Sequence, residues 1–504
     1  MSAHGMSTHG LIGARSTSGS FSRMFPQLPP RPATGLATAL RYGAPGGLMD
    51  GGATTSDQLS PVLPAGFTFF GQLVDHDLTM DALSQLGDRD DPSVDFRTPR
   101  LDLDNVYGAG PVVSQLLYDG SPQAKLRLSA DRADFARTSD GVALIGDPRN
   151  DENMLLAQLH LAFIKFHNRI TDLLVAGEIT DAFGQLLPPK PPDEPPTQQP
   201  GVPLDQLLDV NNYYNLVFSS ARRLVQWHYQ WILVHEFLPL IGHSGVVADV
   251  ERHGPKFFAP DASGAMPLEF SVAAFRLGHP TIRSSYQVNE RFHGKIFPDD
   301  PDAPALPRTD LRGGPVRPEH AVDFRYFFNL SEEIRPQHMR RFQPTLNTQL
   351  LDLPVSAVPG AQAGALARPV ASLAVRNLLR SEALGLPSGQ DVARAIGEVP
   401  LTAEQLGTSE PAYLWFYILK EAEVLAGGLH LGPVGTRIVA EVLIGLLDAD
   451  PGSYRSMYPR WQPTLATCEG SFKMVDLLRI ARVPGTCESA AVTDRADRLA
   501  GVVG

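Results

Sequence analysis

Apolar residues recur at three- and four-residue steps in several long stretches of this chain, the spacing of one face of an α-helix. Over residues 153–175 that face comprises Leu155, Leu156, Leu159, Ala162, Phe163, Phe166 and Ile170. Residues 217–241 repeat the pattern through Trp227, Tyr229, Trp231, Ile232, Phe237 and Leu240, and residues 412–426 and 434–447 predict two further helices. Alternating period-2 runs are scarce. The fold class is therefore mainly α, a single large helical domain with long loops and few or no strands. Residues 1–60 are rich in Gly, Ser, Pro and Ala and read as an extended N-terminal arm that wraps the core or stays partly mobile, leaving residues 61–504 as the domain. The Pro-Pro-Lys-Pro-Pro-Asp-Glu-Pro-Pro run within residues 187–203 cannot be helix or central strand, and residues 298–318 are again rich in Pro and Asp. No internal repeat is visible.

Composition narrows the class. With 504 residues, 43% of them hydrophobic and 19% charged, the chain is globular rather than disordered or fibrous. A formal net charge of -12 argues against a nucleic-acid or anionic-membrane partner, because either needs clustered positive potential. No apolar run reaches the span of a bilayer, and the first residues lack the basic-then-apolar order of a secretory signal, so a cytoplasmic or non-classically secreted protein is expected. Cys468 and Cys487 are the two cysteines, too few for a disulfide framework or a tetrahedral cysteine metal site. One late disulfide and two free thiols both remain open.

Five segments carry candidate chemistry. Residues 70–79 set His76 between Asp75 and Asp77 in an otherwise apolar helical pattern, which reads either as an exposed helix with incidental charges or, if buried, as a reactive site. Residues 98–108 alternate oxygen-bearing side chains in a short loop ending at Gly108. Thr98, Asp102 and Asp104, with Asp77 completing the charge, suit calcium, which takes six to eight oxygens; a solvated acidic turn is the other reading. In residues 146–153, Pro148 fits a turn and Asp151 and Glu152 fit a helix N-terminus, which leaves Arg149 to face elsewhere. His160 and His167, seven apart on the next helix, read as packing and hydrogen-bonding groups. His279 stands between Gly278 and Pro280 at a helix edge, either a surface C-cap or a ligand. Asn377 and Arg380, three apart on one helix, face the same neighbour.

These segments, in this order over roughly residues 60–390, resemble the animal-type haem peroxidase superfamily, in particular its bacterial members. Residues Gln72 through Asp77 are similar to the distal helix, Thr98 through Asp104 to the calcium loop, and Arg149 and Glu152 to the distal arginine and a haem-linking glutamate. Arg276 and His279 resemble the proximal pair, and Asn377 the amide that bonds the proximal imidazole, with Arg380 beside it at the cofactor. The spacing of His160 to His167, Asn168 and Arg169 also fits. A looser similarity covers residues 470–478.

The resemblance implies haem b held by His279, with hydrogen peroxide bound on the opposite face. His76 would move a proton between the peroxide oxygens and Arg149 would stabilise the charge that develops, giving a ferryl intermediate that oxidises a small organic donor or a halide. Gln72 would lie beside the distal water. Asp75 and Glu152 match the two positions that form ester links to haem in the family, whereas Asn153 stands where the leukocyte enzyme has a methionine that adds a third link. Arg100 and Asp104 replace an aromatic residue and a serine of many relatives; Arg100 contributes a carbonyl in either case and Asp104 keeps an oxygen. Residues 381–384, before Gly385-Leu386-Pro387, depart from the family and are expected to make different contacts. Two other functions compete. A fatty-acid dioxygenase of the same superfamily would place a tyrosine three residues before the proximal histidine, where this chain has Arg276. A calcium-stabilised binding or adhesion protein on the same scaffold would need no working haem.

Overall fold

A computed structural model describes residues 19–79, 94–95, 99–120, 124–191, 210–260, 265–298, 308–354, 371–465, 471–484 and 486. Helices of seven residues or more are numbered α1 (Gly35–Gly43), α2 (Gly66–Leu78), α3 (Met154–Val175), α4 (Val210–Ile232), α5 (Ser244–His253), α6 (Leu373–Ala383), α7 (Gly389–Ala395), α8 (Leu414–Ala426), α9 (Pro433–Ala449) and α10 (Met474–Ile480). The fold is mainly α, as the periodicity predicts. Strands among the described residues are three short antiparallel pairs: Gly19–Ser20 with Val94–Asp95, Leu59–Pro64 with His338–Arg340, and Ser285–Gln287 with His293–Lys295.

The longest helices follow from their sequences. Asn153 caps α3, its side-chain oxygen accepting from the Leu156 amide at 2.8 Å, and the apolar residues named above are buried along it. The helix expected over residues 217–241 begins earlier, at Val210, and changes its winding. Leu233–Phe237 form a π turn before Leu238–Ile241 resume the α-helix. Pro239 supplies the reason: it has no N–H for the ordinary bond and its ring would strike the carbonyl four residues back, so the wider turn removes the clash. Phe237 of this turn packs on Phe67 and Phe70 of α2, with ring centroids 6.2 and 5.3 Å away. At the start of α2, a Cβ on Gly66 would lie 2.2 Å from the Phe328 ring, so glycine alone lets the helix seat there.

The described part of the arm lies on the core. The Met24 and Phe25 amides donate to the buried Glu269 carboxylate at 2.9 and 3.2 Å, and α1 packs along α6. Arg31 pairs with Glu382 at 3.0 Å with both side chains nearly inaccessible. Glu382 also accepts from the Thr34 amide, the Gly35 amide and the Tyr413 hydroxyl. Within residues 381–384, then, Glu382 is where the arm is fastened. Residues 192–209 and 299–307, which include parts of the two proline-rich stretches, lie outside the described residues, as do Cys468 and Cys487. No helix among the described residues is long and apolar enough to cross a membrane.

Candidate active site

Helix α2 supplies one wall. Gln72, Asp75 and His76 fall three and four residues apart, so they share a face, and Asp77 turns to the side. Opposite, the chain from Glu269 to Thr281 is helical but irregular: a π turn over Glu269–Ala273, a 3-10 turn over Ala274–Leu277, then a single α turn, Gly278–Thr281, that carries His279. Pro280 sits inside that last turn rather than ending a helix before it. Between the walls lies a cavity lined by Phe67, Gly71, Gln72 and Asp75 on one side and Phe275, Arg276 and His279 on the other, closed by Phe237, Met339 and Phe342.

His279 is deep in the protein yet partly open, as a group lining an internal hollow must be. Burial, reinforced by the Arg276 charge, holds its pKa down at about 3, so the ring is neutral at physiological pH and has a lone pair to donate. Its Nδ1 lies 3.0 Å from Asn377 Nδ2 on α6, and Trp415 meets the ring edge-on at 6.1 Å. The expected partner is present with its nitrogen toward the ring, whereas an imidazole that gives Nε2 to a metal carries its proton on Nδ1 and needs the amide oxygen there. The two amide ends are nearly isosteric, and a half-turn about the last side-chain bond exchanges them.

Across the cavity, Asp75 is pushed up by burial against the opposing pull of Arg276 and Arg149. The surrounding protein raises Glu152 to about 7 against the pull of Arg149, while its side chain is exposed and lies outside the residues that line the cavity. Arg149 is tightly held. Its Nε and Nη2 donate to Asp147, Nη2 at 2.7 Å, and Nη2 also reaches the carbonyls of His76 at 3.1 Å and Thr79 at 2.6 Å. Nη1 is the guanidinium nitrogen left over. The helix N-terminus expected at Asp151 and Glu152 is instead formed by Asn153; residues Pro148–Asp151 make a 3-10 turn, and Asp151 takes a two-pronged bond from Arg137 at 2.6 and 2.7 Å. The Arg137 guanidinium outcompetes the helix end for that carboxylate.

Beside this site Asp77, Asp102 and Asp104 bring carboxylate oxygens within 4.8 Å of one another. Asp77 is fully buried, and one of its oxygens accepts from the Leu103 amide and the Tyr229 hydroxyl, each at 3.2 Å. Leu103 takes a left-handed conformation, φ 58°, between the other two carboxylates, a strain of about 1–2 kcal/mol. Three like charges at this range are costly without a cation, and an all-oxygen cluster suits a hard one. The Arg100 side chain is exposed, leaving only its carbonyl for such a role, and Thr98 lies outside the described residues.

The contacts of four residues were not anticipated from the sequence. Asp147 anchors Arg149. Asn150 joins the rings of His76 and His160, at 2.8 and 2.9 Å. Asn153 donates to the Gln72 side-chain oxygen at 3.1 Å while capping α3. Arg376 of α6, one residue before Asn377, is the helix cation that feels Arg276; neither it nor Arg380, one turn on, is among the residues lining the cavity. The signal available was adjacency: each of the four lies within two residues of, or in the same turn as, a residue already singled out.

A sequence model of the family described as animal haem peroxidase matches residues 92–350, just over half of the chain. The chain belongs to the animal haem peroxidase family. The matched span includes Arg149, Glu152, Arg276 and His279; His76 and Asn377 fall on either side of it. Human thyroid peroxidase is 26% identical over 254 residues, which cover 44% of this chain and 23% of that protein, and the mouse protein is 25% identical over 244 residues, covering 44% and 22%. The chain thus spans less than a quarter of these curated relatives. Among solved structures, peroxidase A from Dictyostelium discoideum superposes with a TM-score of 0.55 at 13% identity, covering 96% of each chain. A fatty acid alpha-dioxygenase from Arabidopsis thaliana superposes with 0.53 at 14% identity, covering 95% of this chain and 77% of that one. These likenesses establish a shared fold, and family membership places this chain in a superfamily of haem-binding oxidoreductases.

Proposed function

We propose that this protein is a haem peroxidase that reduces hydrogen peroxide and oxidises a small organic donor or a halide. The observation that carries this reading is the pairing of two walls across one cavity: a neutral, deeply set imidazole bonded to Asn377, facing Gln72 and Asp75 on the helix that also holds His76. The donor set fits haem. His279 would take the iron, Asp75 and Glu152 stand where ester links would form, and the Arg276 and Arg376 cations suit the propionates. Haem, when bound, supplies the redox iron at which peroxide is reduced and from which the donor is oxidised.

The side chains do the rest. His76 takes the proton of the inner peroxide oxygen on its Nε2 and returns it to the outer one, so that water rather than hydroxide departs. Arg149, fixed by Asp147 and two carbonyls, holds its guanidinium in place for that transfer without having to move. Asn153 occupies the Gln72 oxygen, so Gln72 presents its amide N–H groups to the cavity, the polarity that favours a water oxygen or a halide. Calcium held by Asp77, Asp102 and Asp104 would brace the end of α2 next to His76. No tyrosine is among the described residues lining the cavity, which favours this reading over a fatty-acid dioxygenase.

The test is an absorption spectrum of the purified protein, repeated after acid-acetone extraction and after adding hydrogen peroxide. A Soret band that shifts with peroxide and persists through extraction is expected for covalently held, reactive haem. A protein that takes up no haem, even on reconstitution, would overturn the proposal.

A further inference from the structure

A second cavity is bordered by α3, the 125–133 segment and the residues that follow α10, and it shares no lining residue with the cavity of His279. Its volume is about 1010 Å³, at the upper end of small-molecule sites, which run from about 300 to 1,000 Å³. The walls are tied to the helix. The Asn168 amide exchanges two bonds of 2.8 Å with the Leu126 backbone, and Gln158 donates to the Ala133 carbonyl at 2.9 Å. Helix α10 also packs on α3, and Phe472, two residues before it, meets Phe166 with ring centroids 6.1 Å apart.

Charge sets this cavity apart. Lys165 and Arg169 stand four residues apart on α3, so they share a face, and like charges at that spacing repel. Both are half-buried; Arg132 and Arg482, more exposed, join them on the lining. None of the four makes an ion pair or a side-chain hydrogen bond among the described residues. The carboxylates of the same lining are turned elsewhere: Asp172 pairs with Lys125, Asp131 accepts from the Ser129 hydroxyl at 2.7 Å and the Ala133 amide at 3.0 Å, and Asp119 is exposed. Burial, with the Arg132 charge, holds the Lys165 amine down at about 8, and Asp131, which pulls the other way without bonding it, does not offset them. The backbone is unusual at the same place. Three non-glycine residues among the described ones take a left-handed conformation; one is Leu103 of the acidic cluster, and the others are Arg132, φ 59°, and Arg482, φ 51°.

We infer that this cavity binds a small molecule carrying a phosphate group, held by Lys165 and Arg169 and neutralised further by Arg132 and Arg482. In a chain of net charge -12, four cations kept without a bonded counter-charge around one hollow call for an anion from outside. Their number favours phosphate over a carboxylate, which carries one charge, and guanidinium forks match phosphate oxygens as an ammonium point charge completes them. Leu128, Ile480 and Val483 on the same lining offer apolar surface to the rest of the molecule. The site makes no use of haem, so it stands or falls apart from the peroxidase reading.

The experiment titrates the full chain, as purified, with phenyl phosphate and with benzoate in a calorimeter at constant ionic strength, the same ring on a phosphate and on a carboxylate. Saturable one-site binding is expected for phenyl phosphate and much weaker binding for benzoate. Lys165→Met and Arg169→Met should each weaken phenyl phosphate by about 10-fold, the loss of one charge-assisted hydrogen bond. Lys125→Met removes a charge from the same lining, but one already paired with Asp172, and should change the affinity by about twofold or less. No saturable binding of phenyl phosphate, equal binding of benzoate, or a loss in Lys165→Met and Arg169→Met no larger than in Lys125→Met would overturn the inference. Should the variants fail to fold, lysine acetylation of the wild type, mapped by peptide mass spectrometry, decides it. Phenyl phosphate is expected to protect Lys165 and leave Lys256, an exposed lysine outside the cavity, unchanged; equal protection of the two, or of neither, would overturn it.

Discussion

The two walls of the cavity are built on different principles. The α2 wall is a regular helix whose functional groups are each fixed by a named bond from the 147–153 segment, His76 through Asn150 and Gln72 through Asn153, and Arg149 of that segment is itself held by Asp147. The opposite wall departs from α-helical winding twice in thirteen residues and fixes His279 through one amide and one aromatic edge. Proton transfer explains the contrast, because it tolerates little misplacement and demands defined donors and acceptors. A metal ligand needs one lone pair pointed outward, and a bend in the chain is an effective way to present it. Damage to the His279 wall should therefore remove the cofactor, while damage to the α2 wall should leave it bound and slow the chemistry.

The largest effect is expected from His279→Ala, which should lose haem unless ester links at Asp75 and Glu152 retain it; haem per chain by pyridine haemochrome measures this. Full haem with normal activity would remove His279 from the iron. His76→Ala comes next. Its Soret band should persist while the reaction with peroxide, followed by stopped flow, slows by about 100- to 10,000-fold. An unchanged rate would erase the contrast between the walls.

Much of this contrast was legible in the sequence, for reasons that can be traced. Helices α2, α3, α8 and α9 announce themselves because each buries a continuous apolar face, and His76, Arg149 and His279 stand out because a titratable group in such a setting needs a partner. The π turn after Ile232 was hidden, since Pro239 lies in a run whose periodicity continues past it. Asn150 and Asn153 were hidden for another reason. A buried asparagine differs from a capping one only by what lies across the fold, and for Asn153 both roles hold at once. Asp151 was misread as a helix-terminal charge because Arg137, its actual partner, lies fourteen residues away on a different loop.

A smaller effect tests the support beneath α2. Asp104→Ala should weaken calcium binding and make the protein less stable in its presence. A ligand at a hundred times its Kd adds about 2.7 kcal/mol. The wild-type melting temperature should therefore fall on adding chelator while that of Asp104→Ala barely changes. Equal calcium content in the two proteins would discard the Asp77, Asp102 and Asp104 cluster as its site.

The finest test concerns Asn153, which joins the α2 wall to the start of α3 with one side chain. Asn153→Ala removes the cap and the Gln72 bond together; losing the cap costs about 1 kcal/mol, seen as a lower melting temperature. Asn153→Ser separates the roles, since a serine hydroxyl caps the helix but carries no amide to reach Gln72. Stability should return close to wild type in that variant. Gln72, no longer held by its oxygen, is then free to turn that oxygen toward the cavity, which repels a halide or the oxygen of a water. The KM for the donor or halide should rise in Asn153→Ser while the rate of reaction with peroxide stays near wild type, because His76 keeps Asn150. If Asn153→Ser restores stability and donor KM alike, Gln72 needs no anchor and the α2 wall is less finely held than the His76 bond implies.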